Sequence, residues 1–259
     1  NALICTGDGM AMALRAGAPL KDMEFMQFHP TTLHPSGILL TEGCRGEGAY
    51  LINKDGERFM ARYAPNALEL ASRDVVSRAE QTEIDHGRGL DGCVLLDMRH
   101  LGAEKILSRL PGSRELALTY AGVDPIYEPV PVRPGAHYHM GGVETDVWGA
   151  TEIEGLYAAG ECACVSVHGA NRLGTNSLVD LIVFGRRGGR AMAEYCQQAD
   201  FVPLPDNPAS EVGAELTRLR NASGGTRVAE IREKMQALMS DHVGVFRNQE
   251  GMEKAIVGL

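Results

Sequence analysis

The chain has 259 residues, 44% hydrophobic and 23% charged, which suits a soluble globular protein of two compact domains or one large one. Its formal net charge of −9 argues against a nucleic-acid partner held through phosphate contacts. Cys5, Cys44, Cys93, Cys162, Cys164 and Cys196 form no C-x-x-C pair, so a reducing compartment fits better than a disulfide framework or a structural zinc site.

The sequence contains no signal peptide and no run of about 18 apolar residues that could span a membrane. It opens on Asn1-Ala-Leu-Ile without Met and stops at Ile256-Val-Gly-Leu259, which reads as an internal fragment.

In chain order, residues 1–6 read as a short strand, followed by a helix from Met10 to Ala16 with Asp8 as its cap and Gly17 as its stop. Residues 38–41 and 50–53 have strand character, with Lys54-Asp-Gly-Glu57 as a hairpin turn. Leu68 to His86 reads as one helix, with shorter ones over 103–110 and 115–121. Pro125, Pro129, Pro131 and Pro134 suggest an extended connector at a domain crossing. Thr151 to Glu161 reads as a buried strand and Ser177 to Cys196 as the strongest helix, with Leu178, Leu181, Ile182 and Gly185 on one face. Residues 201–208 form a linker, and amphipathic helices fill the stretch from about Pro208 to Leu238.

Gly87-Arg-Gly-Leu-Asp-Gly92 matches the dinucleotide-binding pattern G-x-G-x-x-G by letter. That fingerprint needs a strand before it and a helix after it, and here a helix precedes it, so it reads as a turn. Four other segments place polar groups beside glycines in apolar surroundings: Gln27-Phe-His29-Pro-Thr31, Thr41-Glu42-Gly-Cys-Arg45-Gly-Glu47-Gly, His137-Tyr-His139-Met-Gly-Gly142, and His168-Gly-Ala-Asn171-Arg172-Leu-Gly-Thr-Asn176-Ser177. Taken singly, each histidine is more often a structural hydrogen-bonding group, and each glycine a turn. Taken together they suit a dicarboxylate, because arginine grips a carboxylate through a two-pronged fork and histidine adds a shorter donor.

With Asn1-Ala-Leu-Ile-Cys-Thr-Gly-Asp-Gly and Glu24-Phe-Met-Gln-Phe-His-Pro-Thr, these segments lie in the order found in one family. From residue 1 to about 195 the chain resembles the flavoprotein subunit of fumarate reductase and succinate dehydrogenase. The resemblance implies a mixed α/β and α+β fold: part of a Rossmann-like FAD-binding domain interrupted by an α+β capping domain, then the start of a helical domain. The implied boundaries are 1–25 and 135–198 for the FAD-binding domain, 26–134 for the capping domain and 199–259 for the helical one. The family's glycine-fingerprint βαβ unit, and the histidine to which many members attach flavin covalently, are absent from this sequence.

The resemblance also assigns roles. His29, Thr41 and Glu42 fall where the family lines its substrate pocket, and His137 and Arg172 where it holds the two carboxylates. Arg73 matches the proton donor to fumarate, and Glu42 and Arg45 match its relay. Asp8, Glu161, Ser177 and Leu178 match positions near FAD, with Ser177 opening the helix beneath the flavin ring, where a helix N-terminus stabilises negative charge. The implied activity is interconversion of fumarate and succinate by hydride transfer at flavin N5, as part of the electron transport chain and the tricarboxylic acid cycle. The implied partners are an iron–sulfur subunit and a membrane anchor subunit, at the cytoplasmic face of the inner membrane. His139 and Gly135 depart from the residues usual at those positions.

Rival readings are an L-aspartate oxidase-like soluble flavoenzyme and a non-catalytic fragment unable to hold FAD alone. A metal site on His137 and His139 is disfavoured, since alternate residues of a strand point to opposite faces.

Overall fold

Two small sheets organise the first part of the chain in the computed structural model, which describes residues 5–259. One has the order β1 (Leu20–Lys21), β6 (Gly142–Glu144), β7 (Ala163–Cys164), with an antiparallel and then a parallel pair. The other is antiparallel with the order β2 (Met26–Leu33), β5 (Val130–His139), β4 (Val94–Asp97), β3 (Tyr50–Ile52). Against it pack α4 (Arg73–Asp85) and α6 (Pro111–Ala121), around a core that includes Leu33, Leu51, Phe59, Met60, Val76, Leu96, Met98, Ile106 and Val130. Burying side chains of this size contributes roughly 1.5–3 kcal/mol each. The remaining elements of this part are α1 (Asp8–Arg15), α2 (Gly43–Gly46), α3 (Met60–Tyr63) and α5 (Ala103–Arg109).

The proline-rich segment is no mere connector: Val130–His139 is an inner strand, with β2 on one side and β4 on the other. The β2–β5 register jumps from His29↔Gly135 to Thr32↔Arg133, leaving Pro30 and Thr31 opposite Pro134. Prolines are tolerated at such a bulge because no ladder hydrogen bond is asked of them.

Other expectations change as well. The expected helix over 68–86 is a 3-10 turn (Leu68–Leu70), a break at Ser72 with ψ 151°, and then α4. Residues 38–41 supply only a bridge between Leu39 and Thr32, and 151–161 only a bridge between Ala150 and Tyr157. An apolar run becomes a strand only where a neighbouring ladder takes its backbone groups, and those two segments find single bridges. The turn at 54–57 closes on Asn53 rather than joining a hairpin, since β3 pairs with β4. Gly87–Gly92 is a turn between α4 and β4, with Gly87 and Gly92 at φ 69° and 80°. The strand expected over 1–6 falls mostly outside the described residues, and Cys5–Gly7 are irregular.

The chain divides by contacts into two units, Asn1–Ala191 and Met192–Leu259, the division falling within α7 (Asn176–Cys196). The second unit contains α8 (Ser210–Arg220), α9 (Val228–His242) and α10 (Gln249–Gly258), with α9 packed on α10. Among the described residues no helix is long and apolar enough to cross a membrane.

Candidate active site

The bulge in β2 sets the first functional side chain. Thr31 N–H, freed from the ladder, donates to His29 Nδ1 at 3.2 Å, which leaves Nε2 as the proton-bearing nitrogen of a neutral ring. His29 is 1% exposed, and burial, then the charges of Arg73, His137 and Arg45, lower its pKa to about 2. It therefore remains an uncharged donor at neutral pH.

Arg73 is the first residue of α4, because Ser72 ends the preceding turn in an extended conformation. A cation there opposes the helix dipole. Glu42 compensates: Arg73 Nε and Nη2 donate to Glu42 Oε2 at 3.0 and 2.7 Å. The remaining fork nitrogen, Nη1, donates to Gln27 Oε1 at 3.1 Å. Glu42 Oε1 lies 3.5 Å from Arg45 Nη2, so each carboxylate oxygen faces a different guanidinium. Arg45 is fully buried, donates to the Glu69 carbonyl, and has its pKa lowered by burial against the opposing pull of Glu42 and Glu80.

Gln27 ties this group to the loop before α7. Its side-chain amide donates to Asn171 Oδ1 at 2.7 Å and to the Arg172 carbonyl at 2.6 Å. Asn171 donates in turn to Asp74. Arg172 Nη1 donates to the Leu173 carbonyl, and Nη2 to His137 Nε2 at 3.1 Å. That bond places the His137 proton on Nδ1. Burial first, then Arg73 and Arg172, lower the His137 pKa to about 4. The His137 and His29 rings meet edge to face at 5.0 Å.

A cavity of about 680 Å³ opens on this network, lined by His29, Leu39, Thr41, Glu42, Gly43, Arg73, Gly174 and Thr175 and by the start of α6. His29, Thr41, Glu42 and Arg73 thus reach the cavity wall. His137 and Arg172 pair directly behind His29, and Arg45 lies beneath Glu42. Arginine outnumbers its carboxylate partner here and both histidines are neutral, so the cavity favours a small dianion.

The residues matched to flavin lie elsewhere. Asp8 begins α1 and accepts from Thr6 Oγ1; Glu161 accepts from His139 N–H at 3.0 Å; Ser177 and Leu178 are in the first turn of α7. The start of α7 suits a flat aromatic cofactor through its exposed Leu178, Leu181 and Ile182, while the N–H groups of Asn176 and Leu178 are held by the Leu173 and Thr175 carbonyls.

Gln27, Asn171 and Asp74 were not singled out as site residues from sequence. Gln27 and Asn171 stand inside two of the quoted segments, which was the available signal. Glu80 and Asp180 carried none, since an acid inside a helical pattern reads as a solvated face.

Comparison with known proteins follows the same lines. The chain is 50% identical over 268 residues to the succinate dehydrogenase flavoprotein subunit of Rickettsia bellii, covering 98% of this chain and 45% of that protein. It is 50% identical over 278 residues to the fumarate reductase flavoprotein subunit of Mycobacterium tuberculosis, covering 99% of this chain and 47% of that one. A solved structure of a quinol–fumarate reductase with menaquinol superposes with a TM-score of 0.94 at 47% identity, covering 99% of this chain and 48% of that chain. The chain therefore spans about half the length of the curated relatives it matches. The profile of the FAD binding domain matches residues 1–178, and the chain belongs to that FAD-binding family.

Proposed function

We propose that this chain belongs to a flavoenzyme that interconverts fumarate and succinate, as the flavoprotein subunit of a respiratory complex. Its partners in that reading are an iron–sulfur subunit and a membrane anchor at the cytoplasmic face of the inner membrane. The observation that carries the reading is the linked array Arg45–Glu42–Arg73–Gln27–Arg172–His137, which reaches one cavity through Glu42 and Arg73 beside His29 and Thr41. Relatives named as succinate dehydrogenase and fumarate reductase subunits support it.

FAD, when bound, supplies or accepts the hydride, and Asp8, Glu161, Ser177 and Leu178 are the residues of this chain that would hold it. Arg172 and the Nδ1–H of His137 hold one substrate carboxylate, while His29 Nε2–H and Thr41 Oγ1 hold the other. Fixing both ends aligns the alkene and stabilises charge that develops on a carboxylate during reduction. Arg73 gives the proton to the alkene carbon that does not receive the hydride. An arginine serves as an acid only if its proton is replaced at once. Glu42 bridges Arg73 to Arg45 through its two oxygens, and burial makes Arg45 the readier proton source. In the reverse direction the same groups carry the proton away.

Replacing Arg73 by Gln or Lys in the FAD-loaded full-length protein tests this. Fumarate turnover should fall by about 10²–10⁴-fold, the usual worth of a positioned acid, while the flavin stays bound and reducible. Turnover within tenfold of the parent would rule Arg73 out as the donor.

A further inference from the structure

The first turns of α7 are inverted relative to an ordinary amphipathic helix. Leu178, Val179, Leu181, Ile182 and Val183 are exposed, and the buried side chain among them is an acid, Asp180. A carboxylate is buried only where polar groups receive it. Here the receivers are His168, whose Nε2–H faces Asp180 Oδ2 at 3.5 Å, and Tyr138, whose hydroxyl lies 3.4 Å from that nitrogen and donates a hydrogen bond to Asp180. The Tyr138 and His168 rings meet edge to face at 5.5 Å and 83°. Burial, then the Asp180 charge, push the Tyr138 phenol upwards, so it stays protonated.

The other end of Tyr138 meets the proposed active site. The Arg172 guanidinium carbon lies 4.3 Å from the centre of the Tyr138 ring. Arg172 is buried, and its Nε has no partner. Its orientation thus rests on the ring face, on His137 and on its own loop carbonyl. Hydrogen-bond acceptance from a phenol enriches the ring's π face, which strengthens its hold on a cation.

We propose that Tyr138, His168 and Asp180 form a buried platform that positions Arg172 to receive a substrate carboxylate, so that Asp180 on α7 acts on substrate binding through the Tyr138 ring. These are positioning residues, and the proposal rests on the fumarate–succinate reading above. It links the helix matched to the flavin with the arginine matched to the substrate, through contacts at 3.5, 3.4 and 4.3 Å.

The test uses the FAD-loaded full-length protein and malonate, a non-reacting dicarboxylate, whose Kd is read from the flavin absorbance. Tyr138→Leu should weaken malonate by about 3- to 30-fold, the range of a desolvated cation–π contact. The KM for fumarate should rise in parallel, with kcat changed by no more than about twofold. In an Arg172→Gln background the same substitution should add less than about twofold, because the group it positions is gone. Asp180→Asn and Tyr138→Phe, which keep shape, should each weaken malonate by about 2- to 10-fold, the worth of one hydrogen bond, and carry the test if Tyr138→Leu does not fold. An unchanged malonate Kd in these variants, or an equal effect with and without Arg172, would overturn the platform. A parent protein that binds no malonate would overturn the functional reading itself.

Discussion

Glu80 is fully buried on α4, neither of its carboxylate oxygens has a hydrogen-bond partner, and Arg45 is the charge that acts on it. Burial raises its pKa well above 4.5, and Arg45 only partly opposes that. Burial thus favours the protonated form in the folded chain, which weakens how far Glu80 offsets Arg45. The unfolded chain loses this proton near pH 4.5, whereas the folded chain keeps it. Stability is therefore lost as pH rises above that value, by about 1.4 kcal/mol per pH unit until the folded group also ionises. Glu80→Met should stabilise the protein at pH 7.5 by about 1–3 kcal/mol in urea denaturation, with a smaller gain at pH 5. A gain independent of pH, or a loss at pH 7.5, would contradict this account. None of this was visible from sequence: Ser77-Arg-Ala-Glu80 looks like any solvated helix face until the packing of α4 against β2 is known. Glu42 and Arg172 were legible because flanking glycines mark backbone that must turn tightly around a site, whereas Arg73, with no Gly or Pro beside it, was pointed to only by the family resemblance.

The paired glycines of His137-Tyr-His-Met-Gly-Gly142 have a purpose at the scale of the element. A Cβ on Gly141 would stand 2.4 Å from the Asp22 carbonyl oxygen, and one on Gly142 would stand 2.6 Å from that of Cys162. They let β6 enter between β1 and β7 directly after β5 has delivered His137 and Tyr138. Gly141→Ala should cost about 1–3 kcal/mol by overpacking against backbone, read as a lower melting temperature. An unchanged melting temperature would show that the β1–β6 approach has slack. Helices were the more legible elements, since their pattern is local: residues 103–110 and 177–196 hold nearly as read, and the helix expected over 115–121 starts one turn earlier, at Pro111. The misread elements depend on partners distant in sequence. Pro134 argues against an inner strand until the bulge opposite Pro30 is seen, Pro131 sits in register opposite Leu95, and 151–161 lacks the ladder its apolar run anticipates.

At the scale of the molecule, the first unit carries the entire charged array, from Gln27 to Asp180. Fold and site converge because β2, β5, α4 and the loop before α7 each contribute one end of a hydrogen-bonded chain. The motif order had already placed these segments in one family, whereas their mutual geometry, with Gln27 joining both arginines, required the structure. The full-length flavoprotein offers the most direct test of that account. Its flavin is reduced anaerobically, fumarate is added, and the visible spectrum is followed. The account predicts that fumarate reoxidises the flavin and that the Arg73→Gln variant does so about 10²–10⁴-fold more slowly. A bound flavin that oxygen reoxidises but fumarate leaves reduced would contradict it.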